Sequence, residues 1–323
     1  MNFCISVVLI CLCLSRVAFC DFPSNQELFF ERLGGGANYV YQVSSSEQKF
    51  VLKIPKNRAS IQTNTPPEEE YHNSQWAFLL GLGARVRFFD NKSGMFVFDF
   101  IENQGTLSKE DLQKKEVLEK TVLLLRDLHF SEGRFASDVD VFDQIESFYQ
   151  FVIKNSAMPL PLDLEDSMNC VRTYRPILKA LNIEKLPCHN DPNLGNFLKT
   201  DSGLKLIDWE CACNNDPAWD LAFLSCQAGF SNSQEEQMLR VYTEHSPIEI
   251  QACYLLPARL VIYKALVQLW RFLWLHIQII NKNDAYDLEE YLRRVDERYT
   301  SHKMIRESSE FKEALSTLET APL

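Results

Sequence analysis

The chain predicts an α+β fold in which a small antiparallel sheet with one helix precedes a larger, mainly helical part. Three observations carry that prediction. Tyr39–Val43 alternates with the period of a strand, and the short, mostly apolar runs Phe50–Pro55, Val86–Phe89 and Met95–Ile101 also read as strands. From Lys109 to His129 the positions Leu112, Val117, Leu118, Thr121, Leu124, Leu125 and Leu128 repeat at helical spacing, and helical patterns return at 143–154 and 164–181. Between these and a late apolar helix lies a turn-rich stretch, PCHNDPNLGNFLKTDSGLKLIDWECACNNDPAWDLA at 187–222, with a hairpin-like segment at 197–209. With 323 residues and 46% hydrophobic content, the two parts use nearly the whole chain. The expected division is an apolar extension at 1–20, an N-terminal lobe at 21–101, a C-terminal lobe at 102–300 and a polar, frayed tail at 301–323.

Taking the elements in order, Phe3–Leu14 is uncharged and mostly apolar, and Ala18-Phe19-Cys20 offers a small-x-small cleavage pattern. The extension therefore reads either as a secretory signal or as a membrane anchor, although it lacks a basic residue near Met1 and is short for a span. Ten cysteines include four in this extension, Cys4, Cys11, Cys13 and Cys20. The other six form no regular framework, and Cys211-x-Cys213 is too close-set for usual zinc spacing, so reduced core thiols are expected. A net charge of −11 without a Lys/Arg block excludes a phosphate-backbone footprint, so no nucleic-acid partner is expected.

Next come Arg32-Leu33-Gly34-Gly35-Gly36-Ala37-Asn38 and the strand 39–43, giving strand, glycine turn, strand. Glycines at 34–36 permit close backbone approach to phosphate oxygens, while a plain hairpin turn is the alternative reading. In Phe50-Val51-Leu52-Lys53-Ile54-Pro55 a lysine stands among apolar neighbours and requires a partner. A helix follows Pro66-Pro67 and carries Glu68, Glu69 and Glu70 in its first turn, where acidic residues also suit a helix N-terminus. Gly81-Leu82-Gly83 ends it, and two more strands complete the sheet around an Asp90-Asn91-Lys92 turn.

In the motif stretch, His189-x-Asp191-x-x-x-x-Asn196 is followed by the short strand Leu204–Ile207, which delivers Asp208. One carboxylate to accept a hydroxyl proton, plus a carboxylate and an amide oxygen as hard ligands for magnesium, is a sufficient set for phosphoryl transfer. Asp191 is the expected base, and Asn196 and Asp208 the expected metal ligands. His189 is expected to brace the loop, and Asp216-Pro217 to start a helix. From Ile248 to about Ile280 runs a long helix on which Tyr263, Val267, Trp270 and Trp274 share one stripe. That stripe reads either as core or as aromatic faces that would hold a quaternary ammonium by cation–π attraction.

HxDxxxxN followed by Ile207-Asp208-Trp209-Glu210 and Asn215-Asp216-Pro217-Ala218-Trp219-Asp220-Leu221-Ala222 resembles the choline kinase and aminoglycoside phosphotransferase superfamily, bacterial choline kinases most closely, over roughly residues 28 to 300. The resemblance implies a protein-kinase-like two-lobe fold and an ATP-dependent kinase, requiring Mg²⁺, acting on the hydroxyl of choline or a related amino alcohol. It implies a phosphate-covering flap at Gly35, Gly36 and Asn38, and pairing of Lys53 with Glu70, chosen from the pattern E-x-x-N-x-x-x-A with Asn73 and Ala77. It also implies a hinge whose backbone at Phe100 and Ile101 meets adenine, although packing at a strand end explains that segment more simply. Glu210, Trp274 and Trp270 would line the acceptor pocket. Cys211 stands where the family often has tyrosine, and the tryptophans are four apart rather than three, which puts choline itself in question before phosphoryl transfer. Ethanolamine, thiamine or an aminoglycoside are alternative acceptors, and a catalytically silent secreted binding module is the alternative outside enzymes. Because ATP supply is cytosolic, the expected location is cytoplasmic, with membrane contact only if residues 1–20 act as an anchor.

Overall fold

The computed structural model describes residues 28–34, 36, 38–56, 65–244 and 250–321, apart from the side chains of 250–253. The extension at 1–20 and Gly35 lie outside them. Contacts divide the described chain into two units, one of residues 28–56 with 84–101 and the other of residues 65–83 with 102–321.

The first unit is a five-stranded antiparallel sheet of β1 (Phe29–Gly34), β2 (Asn38–Ser44), β3 (Lys49–Pro55), β4 (Val86–Asp90) and β5 (Met95–Asp99) in the order β1-β2-β3-β5-β4. The strand alternation read from sequence explains it. Phe50, Leu52 and Ile54 of β3 join Val43, Met95 and Val97 in a buried cluster, and the pleat turns Lys53 to the opposite face, across from Phe96. Gly34 sits at φ +116°, a backbone state open to glycine, where β1 shifts register and enters the turn.

The second unit starts with α1 (Pro67–Leu79) and continues through α2 (Lys115–His129), α3 (Val141–Asn155) and α4 (Leu164–Ala180). Short strands β6 (Leu186–Cys188), β7 (Phe197–Thr200), β8 (Gly203–Leu206) and β9 (Cys213–Asn215) follow. The last helices are α5 (Ala218–Ala228), α6 (Asn232–Glu244), α7 (Ile250–Ile280), α8 (Leu288–Glu307) and α9 (Ser309–Glu319). α7 is the axis of the core and packs against α3, α5, α8 and α9. By length and composition Tyr254–Ile280 would pass as a membrane span, yet 83% of its most apolar window is buried, and a helix apolar all round is at home in such a core.

Two expectations about boundaries need correction. The helix expected to complete the N-terminal lobe at 21–101 goes with the second unit. There Asn73 Nδ2 donates to Ala212 O at 2.8 Å, and Gly83 lets the chain pass so close to Trp209 that a Cβ would stand 3.1 Å from its indole nitrogen. The segment expected as a frayed polar tail at 301–323 is helical through most of its described length. Its polar composition hides a stripe, Phe311, Ala314 and Leu318, all buried, and Ser308 caps α9 by accepting from Phe311 N–H at 3.1 Å.

Candidate active site

A single buried carboxylate organises the motif loop. Asp216 starts α5 as expected, its Oδ1 accepting from Ala218 N–H at 2.9 Å and from buried Arg259 at 2.5 Å. One turn later Asp220, fully buried, turns back to accept the backbone N–H groups of His189 and Asn190, each at 2.8 Å. It also accepts from His129 Nε2 at 3.1 Å, whose Nδ1 then accepts from Tyr242 hydroxyl at 2.8 Å. Asn190, at φ +64°, closes the loop by donating to Cys211 O at 3.0 Å and Cys213 O at 3.2 Å. His189 donates from Nε2 to Ile207 O at 3.0 Å and packs on Trp209, and burial lowers its pKa, so it is the neutral brace the sequence suggested.

The loop is tied to the hairpin in the same way. Asn196 donates from Nδ2 to Asp191 O at 2.9 Å, which leaves its amide oxygen as an acceptor, while its own carbonyl receives Ile207 N–H at 2.9 Å. Asp208 follows at φ +68°, an uncommon state for a residue with a Cβ, held by the hairpin on one side and the 209–211 turn on the other. Asp191, Asn196 and Asp208 therefore meet within one unit. Asn193 donates to Asp191 Oδ1 at 2.5 Å and is itself held by Gln227 of α5. Asp191 is half-buried by area but enclosed by protein groups. Burial first, then the negative charge of Asp208, pushes its carboxyl up to about 8, with Glu210 adding to the rise and Arg271 and the Asn193 hydrogen bond opposing it.

The docking of α1 on the 209–212 turn sets Glu70 beside Asp208 and Glu210, with carboxylate oxygens of the three within 4.8 Å of one another. Hard oxygen donors gathered at this density fit a magnesium ion. Glu70 is buried, as is Lys53 on β3 of the other unit. Asn38 is buried at the head of β2, and Gly36 lies in the bend before it. At the expected hinge, Phe100 N–H points to Lys49 O at 3.4 Å and the Phe100 ring lies under the Lys49 ammonium, so this residue is engaged in strand-end packing; Ile101 follows directly.

Of the aromatic stripe, Tyr263, Val267 and Trp270 are buried and Trp274 is half-buried. Trp270 packs against Phe148, Trp219 and Phe223 and donates its indole N–H to Gln144 at 2.7 Å, so core packing accounts for most of its surface. It also lines, with Asn190, Cys211, Cys213 and Thr65, a cavity of about 20 Å³ that suits one water. The thiols of Cys188 and Cys211 are pushed well up by burial, and Cys170, Cys188, Cys211, Cys213 and Cys226 are all free, as reduced core thiols should be.

Sequence reasoning missed two participants. His129 was read only as the end of a helix, and its tie to Asp220 links residues 91 positions apart. Arg271 passed as one more charge on α7; its guanidinium lies 5.5 Å from the Phe223 ring centroid and acts on Asp191. A cation one residue after Trp270 and three before Trp274, on the stripe-bearing helix, was the available signal.

Residues 30–255 match the choline/ethanolamine kinase family model. The chain belongs to the choline/ethanolamine kinase family. Protein LicA of Haemophilus influenzae is 30% identical over 254 residues, spanning 77% of this chain and 73% of that protein. Among solved structures, a choline/ethanolamine kinase family protein from Mesorhizobium loti superposes with a TM-score of 0.77 at 27% identity, covering 94% of this chain and 98% of that one. Choline kinase LicA from Streptococcus pneumoniae gives a TM-score of 0.75 at 23% identity over 92% and 99% of the two chains. Membership of this family makes the protein an ATP-dependent phosphotransferase with an alcohol acceptor, choline-kinase-like, on a protein-kinase-like fold. The acceptor is a small molecule, and the nucleotide is a bound cosubstrate.

Proposed function

We propose that choline is the preferred acceptor, that Asp191 is its base, and that Asn196 and Asp208 hold the magnesium ion. What supports this reading is the pair of hydrogen bonds made by Asn196, 2.9 Å to Asp191 O and 2.9 Å from Ile207 N–H, which gather base and ligand candidates into one patch. Asp191 takes the proton of the acceptor hydroxyl at its carboxylate as the new oxygen–phosphorus bond forms and the bond from the γ-phosphorus to the bridging oxygen breaks, releasing ADP. Asn193, anchored on Gln227, keeps that carboxylate oriented. Magnesium, when bound, neutralises phosphate oxygens during transfer. Glu70, beside Asp208 and Glu210, adds negative charge that draws the cation in.

Within this reading Glu210 and Trp274 face the ammonium of the acceptor, with Trp270 behind them as support. In the first unit, Gly36, Asn38 and Lys53 serve the nucleotide phosphates, and Phe100 and Ile101 the adenine. The working compartment is the cytoplasm, where ATP is supplied. Steady-state kinetics over choline, ethanolamine, thiamine and an aminoglycoside tests the acceptor, with choline expected to show the highest kcat/KM. Preference for ethanolamine would reassign the acceptor and favour carboxylate pairing over aromatic faces. Absence of ATP consumption with every acceptor would favour a silent binding module.

A further inference from the structure

α7 and α8 bring two guanidinium groups together close to Asp191. Nη1 of Arg271 and Nε of Arg298 are both shut off from solvent, and neither has a hydrogen-bond partner. Arg298 spends Nη1 on Gln268 Oε1 at 3.3 Å, and Arg271 lies over the Phe223 ring. Neighbouring Arg294, by contrast, is satisfied by Glu290 at 2.6 Å. Arg271 stands three residues before Trp274 and so shares its face of α7.

A charged donor sealed from water without an acceptor is costly, and two such cations side by side add repulsion. Burial, then Arg298, brings the Arg271 guanidinium down to about 9, with Asp191 and the Cys226 thiol acting in the other direction, so it still carries its charge at neutral pH. Around the Arg271 guanidinium stand the Phe223 ring, the Cys226 thiol, Arg298 and the Asp191 carboxyl. An oxyanion, whose flat or forked oxygens match a guanidinium, would give the orphan Arg271 donor its acceptor.

We propose that Arg271, backed by Arg298, forms an oxyanion subsite beside Asp191, which receives a phosphoryl or carboxylate group belonging to the small molecule in the acceptor site. The proposal rests on Asp191 marking that site. Two sources share this chemistry. One is the phosphomonoester of the phosphorylated product; the other is a carboxylate carried by the acceptor, as in a zwitterionic hydroxy-ammonium acid. A bare quaternary ammonium gains nothing from the subsite until it is phosphorylated.

Calorimetry on the full chain without nucleotide separates these cases, with choline, phosphocholine, inorganic phosphate and serine as probes and Arg271→Gln and Arg271→Lys as variants. The expected result is that Arg271→Gln weakens phosphocholine and phosphate binding by about tenfold or more, the range of one lost charge-assisted pair, and leaves choline binding unchanged. Arg271→Lys, which keeps charge and stem but loses the fork, should fall in between and guards against a folding defect, which melting curves of both variants would reveal. Loss confined to serine, both in binding and in its KM as acceptor, identifies the acceptor carboxylate as the occupant. If phosphate and phosphocholine binding depends on Arg271 but no amino alcohol is phosphorylated, the acceptor assignment fails and the subsite stands. Equal binding of all four probes to wild type and both variants, with both variants folded, overturns the proposal and leaves Arg271 as a packing residue on Phe223.

Discussion

At the residue scale, Asp191 shows how one environment sets both chemistry and stability. Replacing it by alanine should lower kcat by about 10²–10⁴, the usual worth of a positioned base, and leave nucleotide affinity nearly intact, as steady-state kinetics and equilibrium binding would read separately. The carboxyl titrates at about 8 in the folded chain, against 3.8 as its ordinary value. Between those pH values the unfolded chain holds fewer protons, so this group makes stability fall as pH rises from 3.8 toward 8. Asp191→Asn removes that dependence. Without magnesium, the melting temperature of the variant should gain on that of wild type across this window and show no such gain below it. As the proposed base, the same carboxyl must be ionised for activity, so kcat/KM should rise with pH. Saturating magnesium, by offsetting the Asp208 charge, should move that rise to lower pH.

At the element scale, the loop from Cys188 to Asn196 and helix α5 behave as one piece because Asp220 accepts three donors that have no water to turn to. Asp220→Ala leaves those donors buried and should cost about 3–5 kcal/mol by denaturant unfolding, as well as activity, although Asp220 touches no substrate. A drop in activity without loss of stability would mean that the loop is held by other groups. The C-terminal helix offers a cleaner test of packing alone. Phe311 is buried at 2% exposure against Tyr174, so Phe311→Ala should cost about 3–5 kcal/mol with KM values unchanged. A polar, frayed segment would register almost nothing.

At the scale of the whole molecule, ligand binding and folding are linked. A magnesium–nucleotide complex at about 100 times its Kd should add about 2.7 kcal/mol of stability, visible as a raised melting temperature, and chelation of the metal should remove most of that shift. Asp208→Ala should lose the metal-dependent part while Asp191→Ala keeps it, so the two carboxylates are distinguishable by calorimetry without any turnover assay.

Local pattern sufficed for much of this protein. Strands β2 to β5, the helices at 115–129, 141–155 and 164–180, and the hairpin that delivers Asp208 were visible as short apolar or alternating runs and as 3.6-residue periods. The motif residues 191, 196 and 208 stood out as candidates because their types and order already satisfy phosphoryl-transfer chemistry. The tertiary structure alone decided what depends on distant partners. It placed α1 and Glu70 with Asp208 and Glu210, bound His129 to Asp220, buried most of Trp270 in the core and set Arg271 against Asp191. Periodicity reports which face of an element avoids water, but the identity of the neighbour on that face, and hence the charge a side chain feels, is fixed only when the elements pack.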